Sequence, residues 1–230
     1  MLDEGWQVVN WETVTVASLV RTIRLLGMAL LCVAFWVHPV CGDDLPNSGR
    51  VKAVFDGDTV LLESGERVRY LGIDAPEVAH KRKRGDCYGD QARAANSNWV
   101  LHQTVRLEYD RETRDGYGRL LAYVWLADGA CINAALLRGG FAWLMDPPMG
   151  LKRHHEFLEA QREALSVRRG MWSACSFGEE PFYLGNRRSE IFHRPGCPQG
   201  QKVPRKHQVK WESRWPALEQ GYRPCRRCKP

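Results

Sequence analysis

Residues 54–62, VFDGDTVLL, set two aspartates and a glycine inside a run that otherwise favours a β-strand. An Asp-Gly interruption by itself is usually a turn or a bulge. Two further segments give this one a chemical reading. RYLGIDAPE places Arg69, Asp74 and Glu77 in and just beyond a later strand, and DGYGRLLAYVW places Arg119 at the start of another. The separated carboxylates Asp58, Asp74 and Glu77 offer the hard oxygen donors that calcium prefers. Arginines such as Arg69 and Arg119 grip phosphate through paired hydrogen bonds. Those are the parts needed to cleave a phosphodiester: positive charge to neutralise the phosphorus centre, and a carboxylate to help water attack it.

A second constellation lies near the C-terminus. His193 and Cys197 form an H-x3-C pair, and after 27 intervening residues Cys225 and Cys228 form a C-x2-C pair. Two close pairs of nitrogen and sulfur ligands suit tetrahedral zinc. A Cys225–Cys228 disulfide is the competing reading, because an exported chain meets an oxidising compartment, but it leaves His193 and Cys197 without a role. Cys87, Cys131 and Cys175 allow one disulfide and one free thiol, with any of the three pairings open.

The elements that must position these residues follow from patterning. From Arg50 to Ile73 the chain alternates in short β segments, with a turn at Ser64–Glu66. A helix is expected from about Asp90, with Ala92, Ala95, Trp99 and Val100 on its apolar side. TVRLEYD and RLLAYVWLADG read as strands. CINAALLRGG reads as a helix stopped by Gly139 and Gly140, and LKRHHEFLEAQREALSVRRGMW as a third closing at Gly170. Five short strands with few helices imply an α+β, β-rich fold built on a small closed barrel, since closure removes exposed sheet edges.

Composition divides the chain. Hydrophobic residues make up 44% and aromatic residues 10%, enough for a packed core and against disorder. Residues 185–230 carry 12 Lys and Arg against 3 acidic residues, a net of +9, while residues 1–184 carry 21 against 24, or −3. A basic tail on a near-neutral body points to an acidic partner, with DNA and RNA first, although such a tail can also be merely solvated. The expected layout is a leader over 1–42, a barrel domain over 50–173, a linker over 174–184 and a zinc module over 185–230. The leader rests on the 13-residue apolar run Leu25–Val37 behind Arg21 and Arg24. It implies cleavage before Asp43, a natural start at Val20, and export to the periplasm or the medium, without stable membrane insertion. An uncleaved anchor is the alternative. Neither region shows a surface that demands an obligate protein partner.

DGDTV, RYLGIDAPE, YGDQA and DGYGRLLAYV, in this order, resemble the signature segments of the staphylococcal nuclease (thermonuclease) family from about Val51 to Trp172. The resemblance implies a five-stranded OB-fold barrel with three helices, and calcium-dependent endonuclease cleavage of DNA and RNA at the 5′ P–O bond. It implies calcium ligation by the carboxylates of Asp58 and Asp74 and the main-chain carbonyl of Ala75, with Asp56 behind them. It assigns the attacking water to Glu77 and the scissile phosphate to Arg69 and Arg119. Tyr117 would lie against the nucleotide, and the basic run 80–85, including Lys83, would steer phosphate. In two places the chain departs from the family: Gly116 replaces a phosphate-contacting lysine, and Asp146 stands where an aromatic residue packs on a base.

The last 45 or so residues resemble the zinc-binding domain of Ada-type DNA repair proteins, most specifically in GYRPCRRCKP. His193 takes the position of that family's methyl-accepting cysteine. Imidazole can ligate zinc there but cannot serve as that nucleophile. The resemblance therefore implies a structural zinc module that presents basic residues to nucleic acid. A non-catalytic OB-fold binding protein and a repair-related zinc protein are the competing readings.

Overall fold

The computed structural model describes residues 45–80, 84–145 and 150–230. The leader, Lys83 and Asp146 therefore lie outside the described residues. Strands β1 (Ser48–Val54), β2 (Thr59–Leu62) and β3 (Arg67–Tyr70) form an antiparallel meander, followed by the two-residue β4 (Ile73–Asp74). Helix α1 (Gly89–Val100) leads to β5 (Thr104–Arg114) and β6 (Leu120–Trp125). The barrel closes in the order β1-β2-β3-β6-β5, with β3 and β6 parallel. Helix α2 (Ile132–Arg138), strand β7 (Trp143–Leu144) and helices α3 (His154–Ser166) and α4 (Met171–Ala174) complete this part, with β7 pairing β4. The barrel expected from the strand count is present.

Three elements differ from expectation. Helix α1 buries Asn96 instead of Ala95 and Trp99, which are only partly covered. Polar bonding decides this: the Asn96 amide donates to the Asp56 carbonyl (3.1 Å) and accepts from the Tyr70 hydroxyl (2.9 Å). Strand β5 runs four residues past Asp110 because Arg114 is still paired with Leu120 of β6. It is anchored by Arg114 donating to both carboxylate oxygens of Glu66 at 3.0 and 2.9 Å. Helix α3 stops at Ser166, with Arg168 in the left-handed region, before a separate short turn of helix after Gly170.

The C-terminal part carries a four-stranded sheet that the fading periodicity concealed. Its strands are β8 (Tyr183–Asn186), β9 (Ile191–His193), β10 (Gln208–Trp211) and β11 (Arg223–Pro224), in the order β10-β8-β9-β11. Between them lie short helices α5 (Pro198–Gln201) and α6 (Trp215–Glu219). A tail of this size with few large hydrophobes is expected to depend on metal for folding. The structure shows an additional source of support. Tyr183, Phe192, Trp211, Ala217 and Leu218 bury themselves in one core with Ala164, Leu165, Met171 and Trp172 of α3 and α4. Buried Gln161 of α3 reinforces this seam: its amide donates to the Leu218 carbonyl (2.8 Å), and its oxygen accepts from the Leu144 N–H (2.7 Å). A Cys87–Cys175 disulfide adds a covalent link and leaves Cys131 as a buried free thiol. Residues 46–230 thus form a single compact unit.

Candidate active site and metal centre

The interruption in VFDGDTVLL is the turn between β1 and β2. Asp58 donates its backbone N–H to Asp56 Oδ1 (2.9 Å), which closes the turn. Gly57 is needed by packing: a Cβ there would stand 2.6 Å from that of Ala75 and 2.8 Å from that of Ala92. The turn can therefore sit directly on the segment after β4 and on α1. Gly89 does the same for the other wall, because a Cβ there would fall 2.4 Å from the Glu77 carbonyl oxygen.

Arg69 is the centre of the arrangement. It is only 7% exposed. One guanidinium nitrogen pairs with Asp58 Oδ2 at 2.8 Å and the other with Asp74 Oδ1 at 2.7 Å. Asp58 Oδ2 also accepts the Ala75 N–H (2.6 Å), and Asp58 Oδ1 accepts the Thr59 hydroxyl (3.0 Å). An aspartate of the β1–β2 turn and one of β4 are thereby fixed side by side before any ligand arrives. Burial pushes the Asp58 carboxyl up to about 7; Arg69 opposes this, and the charges of Asp56 and Asp74 add to it. Such a buried carboxylate, with two more beside it, gains from a hard cation, and every donor offered is oxygen. The donor set therefore fits calcium.

Glu77 is exposed and lines the same cleft of about 490 Å³ as Asp56, Asp58, Asp74, Ala75 and Arg119. Its carbonyl accepts the Asp86 N–H at 2.8 Å, which holds the loop that carries it. Arg119 pairs with Asp115 at 2.7 Å. Burial works against the Asp115 charge, yet bonds from the Arg119 side chain and the backbone N–H groups of Tyr117 and Arg119 hold its carboxyl below the usual range. Tyr117 stands 90% exposed, with Arg119 5.7 Å from its ring centre. Asp115 and Asn96, which orient the site, were not singled out from the sequence. A DGYG turn four residues before an arginine was the available signal for Asp115, whereas Asn96 had none.

At the C-terminal end, the ligand atoms of His193, Cys197, Cys225 and Cys228 all lie within 4.8 Å of one another. Four zinc ligands about 2.0–2.3 Å from an ion fit that spacing. Burial lowers the His193 pKa and keeps its imidazole neutral, as a ligand must be. Burial first, and then the neighbouring thiols, push Cys228 up to about 12 despite the Arg194 N–H bond to its sulfur. Burial works against the Cys197 thiolate as well, yet bonds from the Gly200 and Gln199 backbone N–H groups hold that thiol below its ordinary value. The cluster is built for zinc.

Fold and site together define a nuclease barrel fused to a Cys/His zinc module, and similarity to known proteins agrees. The staphylococcal nuclease homologue family matches residues 67–174, and the metal binding domain of Ada matches residues 173–230. Thermonuclease of Staphylococcus intermedius is 39% identical over 125 residues, covering 53% of this chain and 74% of that protein. Thermonuclease of Staphylococcus hyicus is 32% identical over 127 residues, covering 54% and 75%. Endonuclease YncB of Bacillus subtilis is 34% identical over 129 residues, covering 53% and 60%. The chain belongs to the staphylococcal nuclease homologue family and carries an Ada-type metal-binding domain. Arg69, Asp74, Ala75, Glu77, Tyr117 and Arg119 fall within the family match, whereas Asp56 and Asp58 precede it.

Proposed function

We propose that this protein is an exported, calcium-dependent endonuclease that hydrolyses the phosphodiester bonds of DNA and RNA, and that its zinc module helps hold the nucleic acid. The observation that carries the reading is buried Arg69 locking Asp58 and Asp74 together in a cleft that also contains Glu77 and Arg119. Asp58, Asp74 and the Ala75 carbonyl would hold calcium, which when bound neutralises charge on the substrate phosphate. The chain's own groups do the rest. Glu77, exposed to solvent, takes the proton of the attacking water at its carboxylate. Arg69 and Arg119 bind the scissile phosphate, and Arg119 stabilises the 5′ oxygen as its bond to phosphorus breaks. Tyr117 flanks the nucleotide at the rim.

Export is supported by the apolar run before Asp43 and by the Cys87–Cys175 bridge, which suits an oxidising compartment. Among the described residues, no helix is long and apolar enough to cross a membrane. Mass spectrometry of the secreted or periplasmic protein should find a start near Asp43. Intact MLDEGWQVVNW on the mature chain would overturn leader cleavage and the Val20 start together. Retention by the module is tested in the full chain: Arg205→Glu with Lys206→Glu should weaken binding to long DNA and flatten its dependence on salt. Unchanged affinity across a salt series would remove that role.

A further inference from the structure

The zinc module does more than sit behind the barrel. The loop between its ligands Cys225 and Cys228 reaches into the cleft, where Arg226 Nη2 lies 3.1 Å from Asp74 Oδ1, the oxygen that also takes Arg69, and 3.2 Å from Met145 Sδ. Next to it, Lys229 Nζ pairs with Asp86 Oδ1 at 2.5 Å. Asp86 belongs to the loop held by the Glu77 carbonyl. The zinc knuckle thus touches both the proposed calcium ligand and the loop of the proposed base.

We propose that Arg226 is a substrate-binding residue of the nuclease site: it takes a phosphate of the bound strand beside the one under attack, so that the two domains share one active cleft. The Arg226 side chain is 68% exposed although it lines the cleft, and among the described residues its bonds run from Nη2 alone. A guanidinium has five N–H donors in a fork that fits phosphate. On the Arg226 side the pair with Asp74 is open to solvent, so the guanidinium can turn to a better anion while Asp74 keeps Arg69. Arg69, buried on the same carboxylate, is the partner that stays. The cleft lining brings Asp56, Asp58 and Asp74 of the barrel together with Arg226 and Lys229 of the module, which add to the barrel's own Arg69 and Arg119. A polyanion fits there only where cations oppose the carboxylates. The backbone that aims Arg226 is fixed at both ends. Cys225 donates its N–H to the Phe192 carbonyl (3.0 Å), and Lys229 donates to the Cys225 carbonyl (2.8 Å). Arg194 Nε donates to the Cys228 carbonyl (2.8 Å).

This inference rests on reading the cleft as the phosphodiester-cleaving site, and its test is chosen to separate the two. Wild type, Arg226→Ala and Arg226→Lys are compared as full chains, with zinc content and melting temperature as controls on folding. Binding of a fluorescent ten-nucleotide single-stranded DNA is measured by anisotropy in a calcium chelator across a salt series, and cleavage of the same strand in calcium. Arg226→Ala should bind about tenfold more weakly, as expected for a lost charged hydrogen-bonding group. Its salt slope should fall by about 0.7, one phosphate's worth for a single strand. Its loss in kcat/KM should appear mainly in KM, and Arg226→Lys should recover part of it. Failure of wild type to cleave, with wild type still binding more tightly than Arg226→Ala, would sink the cleavage reading and support this contact. A cleaving wild type matched or exceeded by Arg226→Ala in binding and rate would overturn it. In that case the loop would be a clamp on Asp74.

Discussion

The carboxylate cleft of the barrel and the Cys/His cluster of the module gather their polar groups in opposite ways. Around Asp58, two carboxylates are held side by side by a cation of the protein itself, with Arg69 bridging them and Asn96 bracing the turn from α1. Around Cys197, three thiols and an imidazole are gathered, among the described residues no ion pair bridges them as Arg69 bridges the aspartates, and burial first, then the neighbouring thiols, push the Cys228 thiol up. The first site is organised before its metal arrives. The second should need its metal to stay together once its thiols ionise. Calcium should therefore govern chemistry and leave the fold alone, whereas zinc should govern the local fold and, through it, the cleft.

The largest effects should separate catalysis from folding at the barrel site. Glu77→Ala should lower the cleavage rate by on the order of 10²-fold or more while circular dichroism stays near wild type, as expected for a group that acts mainly in the transition state. A Glu77→Ala protein as fast as wild type would remove the water-activating assignment.

Next comes the zinc site. Cys228→Ser should purify with far less than one zinc per chain, disorder the 225–228 loop and loosen the β9–β11 edge, while the barrel strands keep their amide protection in hydrogen exchange. A variant that keeps one zinc per chain and a protected loop would show that the cluster does not need its fourth ligand.

Breaking the Cys87–Cys175 bridge with a double serine variant should cost about 2–4 kcal/mol of unfolding free energy. The bridge closes a long stretch of chain and ties the loop next to Asp86 to the module junction. A smaller step, Asn96→Ala, strips the Asp56 carbonyl and the Tyr70 hydroxyl of their buried partner. It should cost about 1–3 kcal/mol in chemical denaturation. Because Asn96 supports the turn that carries Asp58, that variant should also need more calcium for half-maximal cleavage. If it lost stability with no change in calcium requirement, Asn96 would be a packing residue only.

The contrast also explains what could be read from the chain alone. DGD, RYLGIDAPE and H-x3-C…C-x2-C are local patterns in which chemistry is written as residue type and spacing, and the strand alternation between Arg50 and Ile73 carries the barrel. The packing of the module was not legible, because Tyr183, Phe192 and Trp211 face α3 and α4 across a seam that no periodicity encodes. The same limit hid Arg226, which looked like one more charge in a basic tail and whose partner, Asp74, lies 152 residues away. Asn96 was passed over because polar residues are not expected to line a helix's buried face; here two long-range hydrogen bonds put it there. The disulfide pairing among Cys87, Cys131 and Cys175 needed the fold as well, since it depends on where the α1 approach meets the module junction.

Cleavage of phosphodiesters in this cleft should require both calcium and Arg119 on the phosphate. That requirement is tested most directly by incubating purified wild type and Arg119→Ala with plasmid DNA and with RNA, in calcium and in a calcium chelator. Wild type should cut both substrates in calcium, stop in chelator and resume when calcium is restored, while folded Arg119→Ala should be slower by on the order of 10²-fold or more. Full cleavage by folded Arg119→Ala, or full wild-type activity restored by magnesium or zinc in calcium-free buffer, would contradict the account.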